Sequence, residues 1–121
     1  KGFHPSSFTG TLYCYLKVKN ESVIELKEKK SFTTKPFEEF ASTGIYYFKN
    51  FNTFKKNGYR ALKDEKMIKE HKEIYVSLPY IYLLSEKANI LNFEVERFVS
   101  LGTPKDYDEF IHWLNFFKKN T

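Results

Sequence analysis

Two strand-like runs separated by four polar positions set the tightest limit on what this chain can fold into. Residues 11–18 read TLYCYLKV and residues 23–28 read VIELKE. The first run is rich in aromatic and aliphatic side chains, as suits a largely buried strand. The second alternates, with Glu25 and Lys27 on the solvent side. Asn20-Glu21-Ser22 is a short polar break, so the two runs are expected to pair as a β-hairpin.

The elements after the hairpin follow from the same reading. Residues 29–40 form a loop containing Pro36. Residues 41–49, ASTGIYYFK, read as a strand ending in aromatics, where Gly44 signals a bulge or a close backbone approach. From 52 to 67 the pattern turns helical, and Asn57-Gly58 is expected to interrupt it. Residues 78–87 form a second helix, with Pro79 in its first turn where no N–H is missed. Residues 90–95 alternate, Leu91, Phe93 and Val95 facing one way, as in a half-buried strand.

The last helix carries the clearest local signals. Thr103 is the N-cap, Pro104 holds the first position, and Asp106 lies three residues after the cap. Tyr107, Phe110, Ile111, Leu114 and Phe117 then form an apolar stripe expected to face the core. Lys118 and Lys119 sit where they favour the C-terminal end of the helix dipole. The order β-β-β-α-α-β-α predicts a mixed α/β fold, a mixed sheet covered by helices, in one domain or part of one.

Composition narrows the function classes. Of 121 residues, 13 are Phe and 9 Tyr, far from the profile of a disordered chain. Cys14 is the only cysteine, which excludes an intrachain disulfide and a Cys-based zinc site. His4, His71 and His112 lack ligand spacing. No apolar run approaches the ~20 residues of a membrane-spanning helix. These features predict a reducing, cytoplasmic setting without membrane contact. The five glycines form no phosphate-binding loop. Net charge is +5, and residues 1–60 carry 11 Lys/Arg against 5 Asp/Glu, a balance able to steer an anionic partner.

Several segments, in order, resemble the C-terminal half of the sugar-1-phosphate nucleotidyltransferases. The likeness is greatest to the branch associated with bacterial capsule and surface-polysaccharide synthesis. They are GFHPSSF followed by TLYCYLKV, IELKEK ending at Lys29, ASTGIYYF from Ala41, and KEIYVSLPYIYLL followed by VERFVSLGTPKDYDEF. The resemblance runs from Gly2 to about Phe117. It implies the C-terminal half of a nucleotide-diphospho-sugar transferase-type fold. In such enzymes an oxygen of a sugar 1-phosphate attacks the α-phosphorus of a nucleoside triphosphate and expels pyrophosphate, with Mg²⁺ in the complete enzyme.

By that resemblance Glu28 accepts from a sugar hydroxyl and Lys29 pairs with the sugar phosphate. Neighbours in a strand point to opposite faces, so these two can serve one site only where the strand ends and twists. Thr43 and Gly44 would lie beside the sugar ring, and Tyr13 would line its pocket. Glu73 stands where the family often has Asn-Gly-Glu; here the context is His71-Lys72-Glu73. Ser100 takes the place where better-known relatives carry an Asp that helps bind Mg²⁺, so no metal ligand is assigned to this chain.

The family's nucleotide-binding segments precede the point where this chain begins, and Lys1 in place of Met suggests a chain cut from a longer one. The expectation is a sugar-phosphate-binding half, binding NTP only together with the missing half and catalytically inactive alone. Self-association through an exposed sheet edge is expected as well. Two other classes compete. One is a non-catalytic interaction or regulatory domain reusing the fold. The other is a basic nucleic-acid-binding module, disfavoured because the rings sit in core patterns and the back half is slightly acidic.

Overall fold

A computed structural model describes residues 10–119; the GFHPSSF segment and His4 lie outside the described residues. Strand β1 (Cys14–Lys19) pairs antiparallel with β2 (Ser22–Glu28), and β1 pairs on its other side with the two-residue β3 (Phe40–Ala41), giving the order β2-β1-β3. Four helices follow: α1 (Phe51–Lys63), α2 (Glu65–His71), α3 (Pro79–Ser85) and α4 (Pro104–Lys119). The class is mixed α/β, with every described strand pair antiparallel.

The hairpin forms as its two runs imply. Lys19 pairs with Ser22, leaving Asn20 and Glu21 as a two-residue turn with φ of 49° and 64°. Two successive positive φ values are those of a type I′ turn, whose twist matches the strands it joins. Asn suits the first position; Glu at the second takes a conformation that costs a non-glycine residue about 1 kcal/mol.

Tyr15 and Leu78 are completely buried, and Cys14, Leu26 and Tyr80 form the centre of the core between the sheet and α3. Burying a side chain such as Leu78 stabilises by roughly 1.5–3 kcal/mol. Tyr80 anchors the aromatic part, with its ring 4.6 Å from Phe48 and 5.8 Å from Tyr46, and its hydroxyl donating to the Tyr47 carbonyl. Helix α1 lies against α3, where Glu86 accepts from both Lys56 and Arg60.

Four expectations need correction. The segment 41–49 is not a strand: pairing stops at Ala41, Gly44 adopts φ 87°, and Ile45 and Tyr47 point into solvent. Its alternation shows which side chains could pair against a sheet, but among the described residues no strand takes the position beside them. Helix α1 runs unbroken through Asn57-Gly58, because the buried Asn57 side chain donates back to the Thr53 carbonyl and accepts from Arg60. The break falls instead at Asp64, which caps α2 by accepting from the Lys66 and Met67 amides.

Residues 90–95 make one bridge, Ser22 to Leu91, and two flanking backbone bonds to Glu21 and Val23. Leu91 and Phe93, expected to face inward, are exposed, Phe93 by 89%. Finally, α4 has the capping box predicted for it, since Asp106 N–H donates to Thr103 Oγ1 at 3.1 Å and Thr103 N–H donates to Asp106 at 3.0 Å. Its apolar stripe is nevertheless not core. Tyr107, Leu114 and Phe117 are exposed and Phe110 and Ile111 half-buried, because no other described element packs broadly against this helix.

Candidate functional site

The end of β2 is where the sequence places its two charged candidates, and a local backbone feature separates their directions. Lys29 adopts φ 51°. Its N–H donates to the Tyr13 carbonyl at 2.9 Å, and its own carbonyl accepts from Thr11 Oγ1 at 2.7 Å. A residue held at both backbone groups in the left-handed region ends the strand's alternation. Glu28 therefore stays in the sheet's inward series, while the Lys29 side chain leaves it.

Glu28 faces Cys14 directly across the hairpin. Its carboxylate, only 9% exposed, accepts from the hydroxyl of Ser77, itself almost fully buried just before α3. Burial, followed by the Glu28 charge, pushes the Cys14 thiol up to about 12. Tyr46 joins the group through Ser42 and Ser77, and burial is the first cause that raises its phenol. The result is a polar cluster of buried Cys14, Glu28 and Ser77 with half-buried Tyr46 beside them, in which Ser77 is the hydroxyl that donates to the carboxylate. A carboxylate accepts at about four lone-pair positions, so one bond from Ser77 leaves acceptor capacity.

The Lys29 side chain is exposed. It donates to the Tyr75 hydroxyl at 2.5 Å and stands 4.5 Å from the centre of the same ring. The Tyr75 hydroxyl donates in turn to Glu73. Lysine has no acceptor and an ionised carboxylate no donor, so the direction of both bonds is fixed. The Tyr75 hydrogen bond raises the lysine above its ordinary value, and the charges of Glu73 and Glu28 act in the same sense.

The structure thus brings Lys29 and Glu73 onto one phenol, while Glu28 is bonded to Ser77 in the core and acts on Lys29 through its charge. Thr43 and Gly44 lie in the bend between Ser42, whose N–H donates to the Cys14 carbonyl, and Tyr46 of the polar cluster. Gly44 N–H donates to Ser42 Oγ at 3.0 Å. A Cβ at Gly44 would meet nothing within 4 Å, so its positive φ, and not a close approach, is what calls for glycine. Tyr13 contributes its carbonyl to Lys29, and its ring meets Phe98 edge-on at 6.4 Å.

Tyr75, Ser77, Tyr46 and Cys14 carry this geometry and are not among the residues singled out from the sequence. The signal for Tyr75 and Ser77 lay in KEIYVSLPY, where a tyrosine and a serine stand among apolar residues immediately before a proline-started helix. Ser100 is turned elsewhere. Its hydroxyl donates to Asp106 at 3.3 Å, and that carboxylate also closes the α4 cap. A neutral hydroxyl and one carboxylate committed to a cap make a poor set of Mg²⁺ ligands. No group of three or more His, Cys, Asp or Glu side chains converges among the described residues. No described helix is long and apolar enough to cross a membrane.

No family model, curated protein or solved structure matches the chain.

Proposed function

We propose that this chain is the sugar-phosphate-recognising part of a cytoplasmic nucleotidyltransferase that makes an NDP-sugar from an NTP and a sugar 1-phosphate for surface-polysaccharide synthesis. The observation that carries the reading is that Lys29 and Glu73 meet on the Tyr75 hydroxyl just beyond the end of β2, with the Glu28 charge near enough to act on Lys29. The resemblance assigns Glu28 and Lys29 to the substrate, and Glu73 is the acid that matches the family's Asn-Gly-Glu, a motif that binds a sugar hydroxyl. Lys72, with φ 59°, is the left-handed residue that ends α2, and with His71 it departs from the family's Asn-Gly-Glu.

The division of labour follows from the chemistry of the groups. Phosphoryl transfer requires alignment and charge neutralisation more than covalent help from the protein. Lys29 pairs with the phosphate of the sugar 1-phosphate and moderates its negative charge. Glu28 and Glu73, carboxylates with lone pairs to spare, accept from sugar hydroxyls and fix the ring. Mg²⁺ belongs to the complete enzyme, and no ligand for it is assigned to this chain.

The exposed Ile45, Tyr47, Leu91 and Phe93 support a chain that packs against further polypeptide, here the nucleotide-binding half. The isolated chain is accordingly a binding unit without turnover, and it has no role with nucleic acid or membrane.

Thermal-shift screening against a panel of sugar 1-phosphates tests this reading. Selective stabilisation by one or a few of them is expected, since a ligand at 100 times its Kd adds about 2.7 kcal/mol. A flat response across the panel, or strong salt-dependent affinity for single-stranded DNA instead, contradicts it. Robust pyrophosphate release by the isolated chain contradicts the assignment of turnover to the complete enzyme.

A further inference from the structure

Lysine is a poor candidate for a well-defined anion site when it stands alone on a surface. Its four-carbon stem carries rotamer freedom that must be lost each time the ammonium is fixed against a ligand. Lys29 is exposed, and among its described contacts there is no ion pair within bonding distance. What restrains it is the Tyr75 hydroxyl at 2.5 Å, with the ring centre 4.5 Å from the ammonium behind that oxygen.

Tyr75 is itself held. It lies between the end of α2 and the start of α3, its ring is half-buried, and its carbonyl accepts from the N–H of the fully buried Leu78 at 3.1 Å. Its hydroxyl proton is committed to Glu73, so only a lone pair faces the lysine.

We propose that Tyr75 is the positioning residue of this site, holding the Lys29 ammonium in place for a phosphoryl group while spacing it from the Glu73 carboxylate. The inference rests on the reading given above, that Lys29 meets a phosphate. One ammonium N–H is spent on the phenol, and two remain for phosphoryl oxygens. The same phenol donates to Glu73 and draws its negative charge away from the approaching anion, leaving lone pairs for a hydroxyl donor. The ligand class that satisfies both ends is a phosphoryl group with a hydroxyl carried beside it, and the titratable groups facing Lys29 are Tyr75, Glu73 and Glu28.

The test is calorimetric titration of the full chain with inorganic phosphate and with glucose 1-phosphate, together with an NMR titration of the Lys29 side chain. Lys29→Met should abolish binding of both probes. Tyr75→Phe keeps the ring and loses the hydroxyl, and should weaken both by about three- to tenfold, as one hydrogen bond is worth. Tyr75→Leu, which loses the hydroxyl together with the ring that carries it, should weaken them at least as much. In Tyr75→Phe the midpoint of the Lys29 titration should move down toward that of an ordinary lysine, a change that a purely structural role would not produce.

If Lys29→Met loses binding while Tyr75→Phe and Tyr75→Leu bind as wild type, the role of Tyr75 is overturned and the site reading stands. If Lys29→Met binds as wild type, or if the wild-type chain binds neither probe, both fall. Should Tyr75→Leu fail to fold, the Phe variant decides.

Discussion

The Ser77 hydroxyl donates to the Glu28 carboxylate, joining two nearly buried residues that stand 49 apart in the chain. One ends β2 and the other immediately precedes the buried Leu78-Pro79 start of α3, so this bond ties the sheet to the helix that covers it. Removing the donor leaves a buried acceptor short of a partner, which costs about 1–3 kcal/mol. Ser77→Ala should lower stability by that amount in urea unfolding. An unchanged midpoint would mean that water replaces the hydroxyl without loss.

The turn of the hairpin gives a prediction of opposite sign. Glu21 at φ 64° takes a left-handed conformation as the second turn residue, and glycine accepts it without strain. Glu21→Gly should therefore stabilise the chain by about 1 kcal/mol. A loss of stability would show that the glutamate side chain contributes more than its backbone costs.

Helix α1 supplies a second stabilising change. Gly58 sits within the helix, and an added Cβ would meet nothing within 4 Å. Gly58→Ala should stabilise by about 1 kcal/mol, the difference in helix propensity. A Tm that falls in the variant would indicate that Gly58 is needed for a contact this chain makes with something else.

The buried thiol predicts an alkaline limit. Cys14 is raised from 9.0 to about 12, by burial first and the Glu28 charge second. Below pH 9 the thiol is neutral in the folded and unfolded chains alike, and its contribution is fully present. Between pH 9 and about 12 the unfolded chain ionises while the folded one does not, so stability falls across that window. Tyr82, also raised to about 12, by burial and then by Asp64, acts in the same direction above its ordinary 10.0. Unfolding midpoints measured from pH 8 to 11 should decline, and Cys14→Ala should flatten the early part of the decline. An equally steep fall in that variant would assign it to other groups.

Local chemistry made much of this fold legible in the sequence. The polar break at 20–22, Pro79 and the Thr103-Pro104-Lys105-Asp106 cap each act within a few residues, and the hairpin, α3 and the start of α4 form where those signals lie. Alternation in 41–49 and 90–95 reports only which side chains are apolar. Whether a strand stands beside them depends on residues far away, and the described residues offer β1 only as far as Ala41 and β2 only at Leu91. The stripe of α4 has the same limit: Phe117 can be read as apolar, but its exposure depends on what packs against it. Asn57-Gly58 misled because the helix supplies Asn57 with its own partners, Thr53 and Arg60.

The candidate site was not legible from local chemistry. Glu28, Lys29 and Glu73 are three among 20 Lys/Arg and 15 Asp/Glu, and only the resemblance to the nucleotidyltransferases picks them out. The residue that joins two of them, Tyr75, looks like one more aromatic in a chain with 9 tyrosines.

The central claim is that this chain recognises a sugar phosphate through Lys29. Calorimetric titration of the wild-type chain and of Lys29→Met against a panel of hexose 1-phosphates, with the matching free hexoses as controls, tests it most directly. The account predicts saturable binding of at least one hexose 1-phosphate by the wild type, weaker binding of its free hexose, and loss of the difference in Lys29→Met. Equal affinity for the phosphorylated and free sugars, or undiminished phosphate preference in the variant, would contradict it.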